Sequence, residues 1–261
     1  MTVLPPGTIL QLMYLKERLR QLPPGTFVEI GPGQGTITAL LLQHGWRGRL
    51  FELSAATAAH LRARFAPEIS SGQLEVENRS FLDATGSQVA DLVISCMVME
   101  HLDDAQHRQF LETATRQLRP GGRMIGIVPG SPAHWGIEDD IAGHMRRYTR
   151  ASLRDLAGSA RWRLTHVAGL TFPVSNVLLP ISNALVARHE RAKLQLSALE
   201  RTRQSGLRNV SFKTRFPSVL ALVLNEAVML PLHLLQKWLS GSDRALVLYF
   251  EALPEQAEAR P

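Results

Sequence analysis

The sequence predicts a doubly wound α/β fold, and three observations predict it. Short apolar runs of strand length alternate with helix-period runs over residues 26–171. The first apolar run, Phe27-Val28-Glu29-Ile30, breaks directly into glycines at 31, 33 and 35, and a helix-period run (Ile37, Leu40, Leu41, Leu42) follows. The run over residues 91–96 is almost continuously apolar, as a parallel strand covered on both faces is.

Composition sets bounds. A chain of 261 residues with 45% apolar content can build a large core. Its one cysteine, Cys96, rules out an internal disulfide and makes a reducing compartment the expectation. The first residues carry no basic, apolar signal pattern, so no secretion signal is expected. No run of about 18 purely apolar residues appears, so no membrane span is expected. The net charge is +6, and it is local. Arg188, Arg191, Lys193, Arg201, Arg203, Arg208, Lys213 and Arg215 face only Glu190 and Glu200, an excess equal to that of the whole chain.

The glycine turn is the centre of the reading. Its glycines let a backbone approach a ligand, and the helix beginning near Thr36 offers unpaired N–H groups. A dinucleotide fingerprint is Gly-x-Gly-x-x-Gly; here Gly35 comes one residue early and Thr36 stands where that fingerprint wants glycine. The stretch resembles motif I of the class I S-adenosylmethionine (SAM) dependent methyltransferases, with Glu29 in the family's acidic position. That resemblance implies Glu29, Gly31, Gly33 and Gly35 as cofactor-side residues.

In chain order, residues 10–20 read as an amphipathic helix with Leu12, Leu15 and Leu19 on its apolar face and Tyr14 and Lys16 on others. It either packs on the sheet edge or forms a substrate-side flap in which Tyr14 meets the acceptor. A second strand, residues 49–52, ends at Glu52, 17 residues beyond Gly35, where a carboxylate accepts both hydroxyls of a ribose. That feature alone would suit NAD as well. A helix over 55–65 and a third strand over 74–78 lead to the loop Ser80-Phe81-Leu82-Asp83-Ala84. The resemblance implies that Asp83 accepts from the adenine amino group and that Leu82 packs on the ring.

The fourth strand closes at Cys96, placed with the cofactor-side residues, and runs into Met97-Val98-Met99-Glu100-His101-Leu102-Asp103-Asp104. Asp103 or Asp104 caps a helix to Leu118, and a fifth strand covers 123–128. The order "DLVIS…EHLDD…LRPGG" resembles the small-molecule methyltransferases, ubiquinone-type members among them. In those, Glu-x-x-Glu-His is associated with a metal; here Met97 replaces the first Glu, and no metal is expected. His101 either acts as a general base or orients its loop.

Residues 138–149 contain Asp139, Gly143, His144, Arg146, Arg147 and Tyr148. This "D…GH-x-RRY" run resembles a subgroup of the same superfamily found in bacterial small-molecule and glycan pathways. His144 and Tyr148 are read as catalytic and Arg147 as substrate-binding, above the carboxyl ends of the strands; the alternative is a salt-bridged turn leading into a helix capped by Thr149. A sixth strand covers 163–171, and a last strand arrives only at 245–250.

The resemblance thus implies a Rossmann-like sheet of seven strands, the seventh antiparallel and following a short hairpin; the segment between the sixth strand and the last departs from that pattern and reads as two or three helices forming a lid. The expected organisation is an N-terminal helix or flap (1–25), a SAM-binding core (26–171), a helical insertion serving as acceptor pocket or dimer interface (172–243), and the last strand with a frayed tail (244–261). The implied activity is methyl transfer from SAM to a small-molecule or lipid-like, anionic acceptor. The basic stretch suits an anionic membrane surface, with the protein cytoplasmic and peripheral to the inner membrane, or a homodimer with a basic rim. Three competitors stand beside it: a nucleic-acid methyltransferase, a catalytically silent SAM-binding subunit, and an NAD(P)-dependent oxidoreductase. Against the first, no Asn/Asp-Pro-Pro-Tyr/Phe run follows the fourth strand and no nucleic-acid module is recognisable.

Overall fold

The apolar runs become strands β1 (Thr26–Ile30), β2 (Arg47–Phe51), β3 (Leu74–Glu77), β4 (Ala90–Cys96), β5 (Leu118–Pro129), β6 (Trp162–Leu170) and β7 (Val247–Pro254). In the computed structural model, which describes residues 3–190 and 216–255, they form one sheet in the order β3-β2-β1-β4-β5-β7-β6. Strands β1 to β5 are parallel neighbours, and β7 is antiparallel. β1 pairs with β2 from Thr26 opposite Arg47 to Ile30 opposite Phe51, and with β4 from Phe27 opposite Leu92 to Ile30 opposite Ser95. This register brings the ends of β1, β2 and β4 to one edge of the sheet, with β3 beside β2.

The chain divides into two compact units. One comprises Pro24–Val128, Thr149–Val167 and the chain from Tyr249, and holds nearly the whole sheet. Helices α2 (Thr36–Gln43), α3 (Ala55–Arg64), α4 (Ala66–Ser70), α5 (Asp104–Gln117) and α7 (Arg150–Ser159) belong to it. β4 is buried along most of its length, as its apolar run requires. Phe51, Phe81 and Phe110 meet edge to face at 5.4 and 5.3 Å and join strand, loop and helix in the core. Asp103 is the N-cap of α5, in a capping box with Gln106, and Thr149 caps α7. The fifth strand begins five residues before the expected Arg123, because Leu118 already pairs with Ala90 across a register shift.

The other unit comprises Met1–Pro23, Pro129–Tyr148 and Ala168–Leu248. It holds α1 (Pro6–Leu19), α6 (Ile137–Ala142), α8 (Val174–Glu190) and α9 (Glu226–Trp238). α1 starts earlier than expected because Pro6 suits the first helical turn. It packs on α9 through Ile9, Leu10, Met13 and Met229. Tyr14 therefore belongs to the buried face, and Leu12 is only partly covered, a correction to the periodicity reading. Asn225 divides residues 216–239, accepting from Val228 N–H as the N-cap of α9 and donating to Ala221 and Leu222 carbonyls in the 3-10 turn before it. Most of the basic stretch, residues 191–215, and the tail, residues 256–261, lie outside the described residues.

Candidate active site

The glycine turn leaves β1 in left-handed backbone. Gly31, Gly33 and Gly35 have φ of +64, +53 and +73°. A Cβ at Gly31 would lie 2.6 Å from Val98 Cγ2, so conformation and space both exclude a side chain there. Gly31 N–H donates to Phe51 C=O at 3.0 Å, which pins the turn to the end of β2. Gly35 then caps α2, whose first N–H groups open toward the turn.

Two carboxylates serve this turn. Glu29 is 3% exposed and accepts from the Thr38 hydroxyl at 2.6 Å, so it ties β1 to α2. Burial pushes its carboxyl up to about 7, against the opposing effect of the Thr38 bond. Glu52 lies one residue past β2 and accepts from the backbone N–H of Ser54 at 2.8 Å, and from those of Gly33 and Leu53. Burial raises its pKa although these three donors oppose it. The Gly33 contact shows that the Glu52 carboxylate and the glycine turn face one space.

The neighbouring strand ends complete the edge. After β3, Ser80 Oγ accepts from Leu82 N–H and shapes the turn Phe81–Asp83. Leu82 is half-buried there and Asp83 is exposed. β4 ends at Cys96, whose thiol is pushed up by burial first and by the carboxylates of Glu100 and Glu29 next, so it stays protonated. Met97 follows at φ +54°, and the turn Met99–His101 carries a fully buried Glu100 and a half-buried His101. Thus Glu29, the three glycines, Glu52 and Cys96 gather at the carboxyl ends of β1, β2 and β4, where open α/β sheets bind ligands.

The second unit has a cluster of its own. Asp139, on α6, is fully buried. Its carboxylate accepts from Gly136 N–H, His144 Nδ1 and Arg147 Nε, each at 2.8 Å. Burial pushes its carboxyl up, but the bonds from His144 and Arg147 outweigh this and hold it below the usual range. Gly143, at φ +78°, ends α6 and turns the chain back so that His144 reaches Asp139. Arg147 Nη1 also donates to Gly130 C=O at 2.9 Å, and buried Tyr148 pairs by its backbone with Gly130. The structure thus has the salt-bridged turn of the alternative reading, and that turn brings His144, Arg147 and Tyr148 together. In a neutral His144, the Asp139 contact puts the proton on Nδ1 and the lone pair on Nε2. Asp139 was not among the residues singled out from sequence, although the run contained it. Tyr14 is buried in the α1–α9 contact, its ring edge on His233 at 6.5 Å.

A strand, a glycine turn and a helix N-terminus, with a carboxylate closing the next strand and the sheet order 3-2-1-4-5-7-6, define a class I SAM-dependent methyltransferase. The chain belongs to the methyltransferase domain family, whose sequence signature matches residues 9–167, more than half its length. No curated protein sequence matches it. Among solved structures, it is similar to the geranyl diphosphate C-methyltransferase of Streptomyces coelicolor A3(2), in complex with Mg2+, geranyl diphosphate and S-adenosyl-L-homocysteine. The two are 15% identical over 93% of this chain and 79% of that one, at a TM-score of 0.54. It is also similar to the 1,6-didemethyltoxoflavin-N1-methyltransferase of Burkholderia thailandensis (17% identity, 64% of this chain and 73% of that one, TM-score 0.53). The pyocyanin biosynthetic protein PhzM matches at 19% identity over 62% of this chain, with a TM-score of 0.51. This chain spans 52% of that protein's length. At these identities the likeness is one of fold.

The residues present fit SAM. Glu52 offers a half-buried carboxylate that accepts from Gly33 N–H at the turn, a hydrogen-bond acceptor for ribose hydroxyls beside the glycine backbone.

Proposed function

We propose that the chain methylates a hydroxyl of a small-molecule or lipid-like, anionic acceptor, with His144 taking the proton. The observation that carries this reading is the Asp139–His144 pair, a histidine whose ring a buried, ionised carboxylate orients. SAM supplies a methyl group made reactive by its sulfonium. The chain's residues bind and position: Glu52 takes the ribose hydroxyls, Asp83 the adenine amino group, Leu82 and Cys96 the ring's surroundings, and the glycines admit the methionine portion. Glu29 supports the turn from beneath. As the acceptor oxygen bonds to the methyl carbon and the carbon–sulfur bond breaks, the hydroxyl proton passes to His144 Nε2, and Asp139 stabilises the imidazolium. His101 and Tyr148 are further acceptor-side candidates, and Arg147 is a candidate to hold the acceptor; Tyr14, buried between α1 and α9, is not.

Within the family we assign the chain to the small-molecule, ubiquinone-type subgroup, on its Glu100-His101-Leu102-Asp103-Asp104 run. The basic stretch suits an acceptor carrying phosphate or carboxylate, met at an anionic membrane surface from the cytoplasmic side. The insertion, 172–243, is the segment proposed to receive it. No helix among the described residues is long and apolar enough to cross a membrane.

The test begins with mass spectrometry of small molecules and lipids that accumulate when the gene is deleted. The accumulated compound, incubated with protein and SAM, should gain one methyl group on oxygen. His144→Ala should keep SAM affinity and lower turnover by about a hundred-fold or more. Full turnover in that variant would remove His144 from the reaction.

A further inference from the structure

The chain between β5 and the Asp139–His144 pair holds one indole in the open. Ser131, just past β5, has φ +55°, a backbone that a β-carbon disfavours. Its C=O accepts from His134 N–H at 2.9 Å, and its Oγ lies 2.8 Å from His134 Nδ1. Trp135 N–H donates to Pro132 C=O at 3.1 Å. The closed turn Pro132–His134 thus delivers Trp135, which is 42% exposed, whereas Trp46 and Trp162 are buried. The indole is fixed, because its Nε1–H donates to Asp140 Oδ1 at 3.0 Å. With its one polar atom engaged, the side chain offers a partner only apolar ring surface. Strained backbone that serves to present a fixed, exposed aromatic side chain points to a binding role.

Helix α6 ties this indole to the histidine of the proposed reaction. Asp140 holds Trp135, and the residue before it, Asp139, holds His144. Adjacent Cα atoms are about 3.8 Å apart, so both rings are anchored on one turn of one helix. Asp139 is buried and Asp140 is exposed, which sets the histidine inward of the indole. The His144 side chain is 12% exposed. Met145, next to it, is 55% exposed and adds a pliable apolar contact at the other end of α6. The exposed large apolar side chains of residues 129–148 are these two, Trp135 and Met145. A flat ring gains stacking on an indole beyond the burial of its area, and an alkyl chain gains burial alone.

We propose that Trp135 is a specificity-determining residue: the acceptor carries a ring whose flat face lies on the Trp135 indole while its hydroxyl meets His144. This rests on the reading of His144 as the proton acceptor, and it narrows the acceptor to a ring-bearing compound, aromatic or sugar.

Three anionic hydroxyl compounds serve as probes: hydroxynaphthoate with an aromatic ring, glucuronate with a sugar ring, and hydroxydecanoate with a chain alone. Each is titrated by calorimetry into the full chain saturated with S-adenosyl-L-homocysteine. A ring compound should bind more tightly than hydroxydecanoate, and the tighter of the two rings names the kind of ring. Trp135→Ala should weaken that compound by about ten-fold, and Trp135→Phe, which keeps a stacking face, should retain most of the affinity. SAM affinity should be unchanged in both variants, which certifies that they are folded. Equal affinity of wild type and Trp135→Ala for the ring compounds would overturn the proposal. So would tightest binding of hydroxydecanoate, or no binding of either ring compound. His144→Ala, assayed on the compound that accumulates in the deletion strain, separates the two readings. If it keeps full turnover while Trp135→Ala weakens ring binding, only the role of His144 falls. If it loses turnover while Trp135→Ala binds the ring compounds as the wild type does, only the role of Trp135 falls.

Discussion

Replacing Glu29 by Gln should flatten part of the pH dependence of stability. The unfolded chain releases this proton near its ordinary pKa of 4.5, whereas the folded protein keeps it until about pH 7. Between those values the folded state binds more protons than the unfolded state, so stability falls as pH rises. The contribution is fully present below about 4.5 and fully lost above about 7. At about 1.4 kcal/mol per pH unit, the loss is about 3 kcal/mol. The cause is a carboxylate forced to ionise under the glycine turn, with the Thr38 hydroxyl as its hydrogen-bond donor. Gln keeps the size and an acceptor oxygen for Thr38 but cannot ionise. Urea unfolding of both proteins, from about pH 4 to about pH 8, reads the difference directly. The wild type should lose about 3 kcal/mol relative to Glu29→Gln across that range, so the variant gains most at the alkaline end. A difference between the two proteins that does not change with pH would refute the reasoning and return Glu29 to an ordinary acid.

Other perturbations probe the turn and the second cluster. Gly31→Ala places a Cβ 2.6 Å from Val98 Cγ2 at φ +64°. It should destabilise the protein by about 1–3 kcal/mol in urea unfolding and weaken SAM in calorimetry. Asp139→Asn removes the charge facing Arg147 and the fixed acceptor of His144. It should cost about 3 kcal/mol and lower turnover more than it alters SAM affinity, as unfolding, kinetics and calorimetry would show. Substituting His101 and Tyr148 in turn should leave SAM binding near the wild-type value while turnover falls in at least one variant. Full activity in both would confine the acceptor chemistry to His144.

What could be read in advance was local. The glycine turn, the carboxylate after β2 and the caps Asp103 and Thr149 declare themselves through residues a few positions apart, where backbone geometry decides. Seven strands with an antiparallel seventh followed from the resemblance, and the sheet has them. What escaped depends on contacts remote in sequence or on backbone not encoded by periodicity. Tyr14 is buried because α9, more than 200 residues on, packs over α1. The inward turn of His233 and Gln236 is set by Glu17 and Leu10, so hydrophobicity alone points the helix the wrong way. Asp139 and His144 are five residues apart, a spacing that joins side chains only because Gly143 reverses the chain.

The central claim, that the turn at residues 31–35 and Glu52 hold SAM, is tested most directly by titration calorimetry with SAM, S-adenosyl-L-homocysteine and NAD on the wild type and Glu52→Ala. The wild type should bind the first two and not the third. Loss of hydrogen bonds to a charged acceptor, worth about 1.5–3 kcal/mol each, should lower SAM affinity in the variant by about ten-fold or more. Unchanged SAM affinity in a folded Glu52→Ala protein, or saturable NAD binding without a response to SAM, would contradict the account.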